Sequence, residues 1–303
     1  MPRKKLSDSD WRNVLRTERA KLVDLDAESD RVMVSVSGGG QSAVAAIRAR
    51  DRWGDRCEYV FADTASEDED TYRFLDDLET IIGPIVRLVQ RNDDGTPMDI
   101  WDCFHKHRII SIPKAGNACK ASVELKQKPL NKHAAENGLT VQAIGFVFSE
   151  PERIVKRNQL GALSGRQYVY PLLDDPLLGD CEILEHLRKS GLKPPRIYDD
   201  GFIHNNCIGA GGCVLAGLDQ FAAMYQINRD AFDYAKKRET EFLAKADFTV
   251  LKDQRGGETT NYSLAELEAD IESGRKFGRR WQSNCSCMSE SLFSESELLN
   301  LDD

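Results

Sequence analysis

The 303-residue chain has no long apolar run. None of its hydrophobic stretches approaches the roughly 18 residues that a membrane-crossing helix needs. Its first residues, Met-Pro-Arg-Lys-Lys, are basic, but no apolar signal segment follows them. These absences predict a cytoplasmic protein with no membrane partner. An excess of positive charge is lacking too: 41 Lys and Arg stand against 50 Asp and Glu, a net charge of −9. That balance argues against a broadly basic nucleic-acid surface. It leaves room for local basic stretches, here Lys114 to Lys132 and Arg153 to Arg166. Internal repeats and extended low-complexity segments are absent. In a reducing compartment the eight cysteines read as metal ligands, redox groups or core fillers, not as disulfides.

What is there begins at residue 32. Val32 to Val36 is a near-continuous β-branched run, the pattern of a parallel strand covered on both faces. Ser37-Gly38-Gly39-Gly40-Gln41-Ser42 follows, and then an Ala-rich helix. Consecutive glycines let the backbone approach a ligand without a Cβ in the way. The serines add hydroxyl donors, and the helix brings its positive end to the same place. The pattern predicts an anion cradle for phosphate. It is not a Walker loop, because no Gly-Lys-Ser/Thr follows, and not a dinucleotide fingerprint, because the glycines are not spaced.

Further along, strands over Glu58 to Thr64 and Ile85 to Val89 flank a helix over Glu69 to Ile82. Trp101 to Ile112 reads as helix, Val141 to Val147 and Tyr168 to Asp174 as strands, and Asp180 to Ser190 as a helix stopped by Gly191. This alternation predicts an α/β fold, a doubly wound and mainly parallel sheet, with ligands at the strand C-termini. Residues 1–30 read as an N-terminal domain-flanking helix, centred on 7–25, and 31–200 as the nucleotide-binding domain. Residues 201–303 read as a helical, cysteine-bearing extension ending in an acidic tail. Within the extension, 217–244 reads as one long helix, and Ser263 with Glu266 as a capping box. Arg275 to Trp281 is a basic stretch with two aromatics, suited to a nucleic-acid backbone or to a solvated helix end.

The loop resembles the Ser-Gly-Gly-x-x-Ser loop of PP-loop ATP pyrophosphatases, the superfamily of PAPS reductases, ATP sulfurylase small subunits and tRNA-thiolating enzymes. Asp63-Thr64 and Asp70-Thr71-Tyr72 resemble the PAPS reductases' Asp-Thr strand end and the helix after it. Cys119 to Leu130, with Lys126 and Pro129-Leu130, is similar to a cysteine-bearing Lys-x-x-Pro-Leu segment of PAPS and APS reductases. Glu150 and Arg153, with Gly145 before them, resemble a Gly-x-x-x-x-Glu-x-x-Arg region, Tyr170-Pro171-Leu172 a Pro-Leu strand end, and Tyr198 to Phe202 the segment that precedes a cysteine pair in APS reductases. Two departures stand out. Gly40-Gln41 occupies the place where many ATP-cleaving members have Lys-Asp, and Asn284 to Met288 does not match the reductases' Glu-Cys-Gly-Leu-His tail.

The resemblance implies a PP-loop (HUP-like) fold and a PAPS-reductase-like enzyme. ATP with Mg²⁺ would be bound by Ser37, Gly38, Gly39, Gly40, Gln41 and Ser42 on the phosphates and by Asp63 and Thr64 on the nucleotide. Arg153 would neutralise phosphate charge or form a surface ion pair. Cys119, Cys207, Cys213 and Cys285 would make a four-thiolate set, holding a [4Fe-4S] cluster or, alternatively, Zn²⁺. Cys287 would be a ligand or a sulfur carrier, and Ser37, Ser42 and Arg153 would join it in the catalytic set. Cys57, Cys103 and Cys181 sit in ordinary helix or strand context and read as structural. The implied function is ATP cleavage between the α and β phosphates with sulfur transfer to DNA, tRNA or a nucleotide. Its sulfur would come from a cysteine desulfurase or another donor, and the enzyme is open to oligomer formation. Two alternatives remain: a sulfate-assimilation reductase, and a non-catalytic nucleotide-binding subunit of a modification or defence complex.

Overall fold

The computed structural model describes residues 31–113, 117–202, 204–253 and 257–277. The expected helix near residues 7–25 lies outside them, as do Trp281, Cys285 and Cys287. In chain order the first elements are β1 (Val32–Val36), α1 (Gly40–Trp53), β2 (Cys57–Asp63), α2 (Glu69–Ile82) and β3 (Ile85–Val89). Next come α3 (Ile100–His107), β4 (Ser111–Ile112), β5 (Ala118–Cys119) and a π-helical turn at Ser122–Gln127. Then follow α4 (Lys128–Glu136), β6 (Val141–Ala143), α5 (Pro151–Ser164), β7 (Gln167–Val169) and α6 (Asp180–Lys189). The last are α7 (Leu218–Ile227), α8 (Arg229–Leu243), β8 (Leu251–Asp253), β9 (Thr260–Tyr262) and α9 (Leu264–Glu272). No described helix is long and apolar enough to cross a membrane.

The chain divides into two compact units, each assembled from separate segments. Of the described residues, 31–61, 77–86 and 132–194 form one, and those within 62–76, 87–131 and 195–277 form the other.

The first unit is built on the main sheet, of order β3-β2-β1-β6-β7. β1 pairs in parallel with both β2 and β6, and β6 in parallel with β7. The chain therefore winds one way from β1 through β2 to β3 and the other way through β6 to β7. The switch point falls at the C-terminal ends of β1 and β6, where doubly wound sheets bind ligands. Register aligns Met33, Gln142 and Tyr168 on one face, and a 2.7 Å bond from Gln142 Nε2 to Ser35 Oγ ties that face together. α1 is rich in alanine and buries Ala43 to Ile47, its first turn meeting Ile183, Leu184 and Leu187 of α6 at Gly40. Arg48 of α1 donates to the carbonyls of Pro171, Asp174 and Pro176, fixing the segment after β7.

The second unit has its own apolar core, which includes Trp101, Phe104, Phe221, Phe232 and Phe242. The stretch 217–244 is not one helix. Asn228 ends α7 and caps α8, its Oδ1 accepting from the Ala231 amide at 3.2 Å. Asparagine's short amide competes for backbone groups and favours caps over helix interiors. α3 also stops earlier than its apolar pattern suggests, because Arg108 takes a left-handed conformation with φ 54°. β6 and β7 are three residues each, the expected continuations being irregular segment and a 3₁₀ turn. The Ser263–Glu266 capping box forms as expected.

Candidate functional site

At the end of β1 the chain turns through Gly38, whose φ of 75° favours glycine. Ser42 stitches this turn: its Oγ donates to the Gly39 carbonyl at 2.9 Å and accepts from the Ser37 amide and hydroxyl, each at 3.0 Å. The two serines thus shape the loop as well as line it. α1 starts at Gly39 with no side-chain cap and no acidic residue in its first turn, an arrangement that presents a helix's positive end to an anion.

The other strand end at the switch point closes against the loop. A Cβ on Gly145, two residues past β6, would lie 2.9 Å from Ser42 Cα and 3.0 Å from the carbonyl carbon and oxygen of Gln41. Only glycine allows this approach, so Gly145 belongs to the cradle although its residue type alone does not reveal that. Phe146 follows it and stacks on Tyr170, ring centroids 5.9 Å apart. Arg153 lies over Phe146 at 4.3 Å from the ring centroid and is ion-paired with Glu150. The ion-pair reading of Arg153 therefore describes its present partner.

In the second unit, Asp63 Oδ1 accepts from the Ala65 amide and from the Tyr72 hydroxyl, both at 2.8 Å. Burial, helped by the Asp63 carboxylate, pushes the Tyr72 phenol well up from its ordinary value. Thr64 donates to Glu67 Oε1 at 3.0 Å.

Glu67 is the hub of this unit's thiol-bearing part. It is buried, and besides Thr64 it faces the Lys126 ammonium, 3.6 Å from Oε1. Its Oε2 accepts the backbone N–H of Cys207 at 3.0 Å. Cys207 itself is left-handed, with φ 56°, a conformation that costs a non-glycine residue and persists only where neighbours enforce it. The neighbours are visible. The Ala210 amide donates to the Ser66 carbonyl at 3.2 Å, and Trp101 Nε1 donates to the Ala210 carbonyl at 3.0 Å. A Cβ on Gly209 would sit 2.3 Å from the Glu67 carbonyl oxygen, and one on Gly211 2.3 Å from Ala235 Cβ. Before the loop, Arg196 pairs with Asp68 at 2.7 Å and Asn205 donates to Thr71 at 3.2 Å.

A glycine-rich stretch such as residues 207–213 predicts thiols outside the core. Instead Cys119, Cys207 and Cys213 are buried and join the apolar core together with Cys103. The glycines serve close packing, and that packing carries the thiols inward. Burial pushes the Cys103 thiol far up, with a smaller contribution from Cys119, so Cys103 stays a protonated core residue as its helical context predicted. Among the described residues no three of His, Cys, Asp and Glu gather as a group able to hold a metal ion. The described thiols therefore do not form a ligand shell by themselves. Of the basic stretch near the C-terminus, Arg275 is ion-paired with Asp270 and lies over Phe277 at 4.5 Å from the ring centroid.

Sequence reasoning passed over Glu67, the packing role of Gly145 and the role of Lys126 as a buried partner. Glu67 carried one usable signal, its place between a strand end and a helix start in a polar run.

No protein-family model and no curated protein matches the chain. Among solved structures it is similar to phosphoadenylyl-sulfate (PAPS) reductase from Candida auris, in a phosphate complex. Identity is 11% and the TM-score 0.41, over 66% of this chain and 94% of that one. It is also similar to the U34-tRNA thiolase NcsA from Methanococcus maripaludis with its [4Fe-4S] cluster. There identity is 14% and the TM-score 0.42, over 81% of this chain and 83% of that one.

Proposed function

We propose that the chain is a PAPS-reductase-like PP-loop enzyme that cleaves ATP between its α and β phosphates to prepare a nucleic acid or nucleotide for sulfur transfer. The observation that carries this reading is the cradle at the switch point: Ser37 to Ser42 after β1, with Gly145 after β6 packed against its backbone. Backbone amides, serine hydroxyls and a helix N-terminus suit a polyphosphate.

In the proposed reaction an acceptor oxygen attacks the α phosphorus and pyrophosphate departs. The resulting adenylate makes that oxygen a leaving group, and AMP leaves with it when sulfur attacks. Asp63 and Thr64 would contact the nucleotide, and Arg153 would exchange Glu150 for phosphate charge. Cys119, Cys207 and Cys213, joined by Cys285, are the thiols we assign to an iron–sulfur cluster or zinc, with Cys287 as ligand or sulfur carrier. Such a cluster would supply a sulfur or electron site. Among the described residues these three thiols do not gather as a ligand group, so the assignment is supported by the resemblance alone.

The test is ATP turnover with product analysis. We expect AMP and pyrophosphate in equal amounts, and about tenfold weaker nucleotide binding in Ser42→Ala, the loss of one well-placed hydrogen-bonding group. Nucleotide binding without pyrophosphate release would leave a non-catalytic binder. For the thiols, anaerobic purification should give bound iron or zinc that is lost in the Cys207→Ser, Cys213→Ser double variant. Wild-type metal content in that variant would sink the ligand assignment.

A further inference from the structure

Charge is spread unevenly along this acidic chain. The 29 residues from Cys103 to Asn131 hold six Lys and Arg against one acid, Glu124, whereas the whole chain carries a net charge of −9. Such a local excess is either neutralised inside the fold or turned outward toward an anionic partner. Both happen here. Lys120 and Lys128 share the Glu124 carboxylate at 2.9 and 3.1 Å, and Lys126 faces Glu67. Lys114 lies outside the described residues. Lys106 and Arg108 are exposed, and among the described residues no carboxylate pairs with either. Exposed bases elsewhere do find one: Lys189 pairs with Glu185, and Arg229 with Asp233.

Lys106 and Arg108 stand at the C-terminal end of α3, which lies beside the C-terminal end of α8. His105 meets the Phe242 ring edge-on with centroids 5.8 Å apart, and its Nε2 is 3.2 Å from the Arg238 carbonyl oxygen. Burial lowers the His105 pKa, and the charges of Arg238 and then Lys245 push the same way. Lys245 is exposed and also has no carboxylate partner among the described residues, so it brings a third cation to this end of the second unit. The nearby acids Asp102 and Glu241 are ion-paired with Arg238. Three residues past Lys245, and next to Asp247, the Phe248 side chain is 52% exposed. A helix C-terminus by itself favours a base, and a lone exposed apolar side chain is ordinary. Three cations without carboxylates beside an exposed ring combine into something more specific. The cations suit a phosphodiester backbone, and the ring offers a face on which an unstacked base can lie.

We propose that Lys106, Arg108, Lys245 and Phe248 form a docking surface for an unpaired stretch of nucleic acid, the cations on phosphates and the ring stacked on a base. It rests on the reading above for the class of acceptor, and adds where the acceptor strand is held. Neither the glycine turn nor the thiols take part in it. In a duplex the bases are already stacked on one another, so the ring contributes to binding only where a strand is unpaired. The acidic remainder of the chain repels a polyanion and so confines it to this patch.

The test is fluorescence anisotropy on the full chain without ATP, over a range of salt. Its probes are a labelled single-stranded RNA, the same sequence as single-stranded DNA, and the DNA duplex. Wild type should bind one or both single strands more tightly than the duplex and lose affinity as salt rises. Exchanging Lys106, Arg108 and Lys245 together for serine should make the slope of log affinity against log salt shallower by about 2, the value for three phosphate contacts on a single strand. Phe248→Ala should keep the slope and weaken single-strand binding roughly tenfold, the loss of one stacked base, with little change on the duplex. Phe248→Trp should bind single strands at least as well as wild type. Lys189→Ser, the same loss of charge in the first unit, should leave binding unchanged. Because ATP is absent, this binding can fail while pyrophosphate release succeeds, and the reverse, so the two readings are judged separately. No single-strand binding by wild type at low salt, a wild-type slope in the triple variant, or an equal loss in Lys189→Ser overturns the proposal.

Discussion

The two units close their candidate sites by different means. In the first, the cradle at β1 and β6 is closed by the absence of side chains: Gly38 turns the chain, Gly145 lets two backbones touch, and Ser42 stitches its own turn. In the second, the Cys207 loop has close glycine packing too, at Gly209 and Gly211, but adds a buried charge to it. A buried carboxylate, Glu67, takes an amide, a hydroxyl and an ammonium from three separate segments. A site closed by steric fit tolerates no added atom. One closed by a buried charge tolerates no removed partner. The comparison makes different substitutions critical in the two halves of the molecule.

Glu67→Ala should have the largest effect. It leaves the Lys126 ammonium and the Cys207 amide buried without their carboxylate, a change that costs about 3–5 kcal/mol in comparable buried pairs. Urea unfolding should show it, and Cys207 should react faster with iodoacetamide once its left-handed backbone is released. Glu67→Gln keeps an acceptor and should lose less. An alanine variant as stable as wild type would mean that the loop is held by its apolar packing.

Gly145→Ala comes next. The new methyl must push the Ser42 and Gln41 backbone, for about 1–3 kcal/mol of overpacking. Its sharper signature is functional: nucleotide affinity should fall further than in Ser42→Ala, because the whole cradle shifts. Unchanged affinity would separate Gly145 from the nucleotide site and weaken the contrast between the two units.

The smallest effect is a pH dependence in the second unit. Both guanidinium bonds from Arg73 hold the Asp70 carboxyl below its ordinary value, and the Arg196 amide adds to this against the opposing effect of partial burial. The native state thus prefers the carboxylate. The stabilisation is complete above the unfolded-state value near about 4 and is lost as pH falls through the lower native value. Asp70→Asn should flatten that part of the acid limb in a stability-versus-pH profile. An unchanged limb would show that exposed solvent screens the pair.

Much of the frame was legible in the sequence because it follows from local pattern. β1, α2 and β3 fall on the residues that the apolar alternation marks, and the Ser263–Glu266 box caps α9 as its spacing requires. Local pattern misled where one residue outweighed its neighbours. Asn228 ends a helix inside a stretch that reads as one continuous helix, and Arg108 ends another by adopting positive φ. The thiols show the same limit in the opposite sense. Cysteines in a glycine-rich stretch look exposed by composition, yet those glycines are small so that the loop can press into a core.

By itself the sequence determined the alternation of strands and helices, and with it a doubly wound sheet with a glycine turn at its switch point. Those features depend on residues a few positions apart, whose preferences act before any tertiary contact forms. Only the tertiary structure decided that Gly145 completes the cradle, that Glu67 holds an amide 140 residues further along the chain, and that Arg157 is buried over the Tyr168 ring. Each of these depends on what packs against the residue. A carboxylate, a glycine or an arginine reads the same in the sequence whether water or another segment of the chain lies beside it.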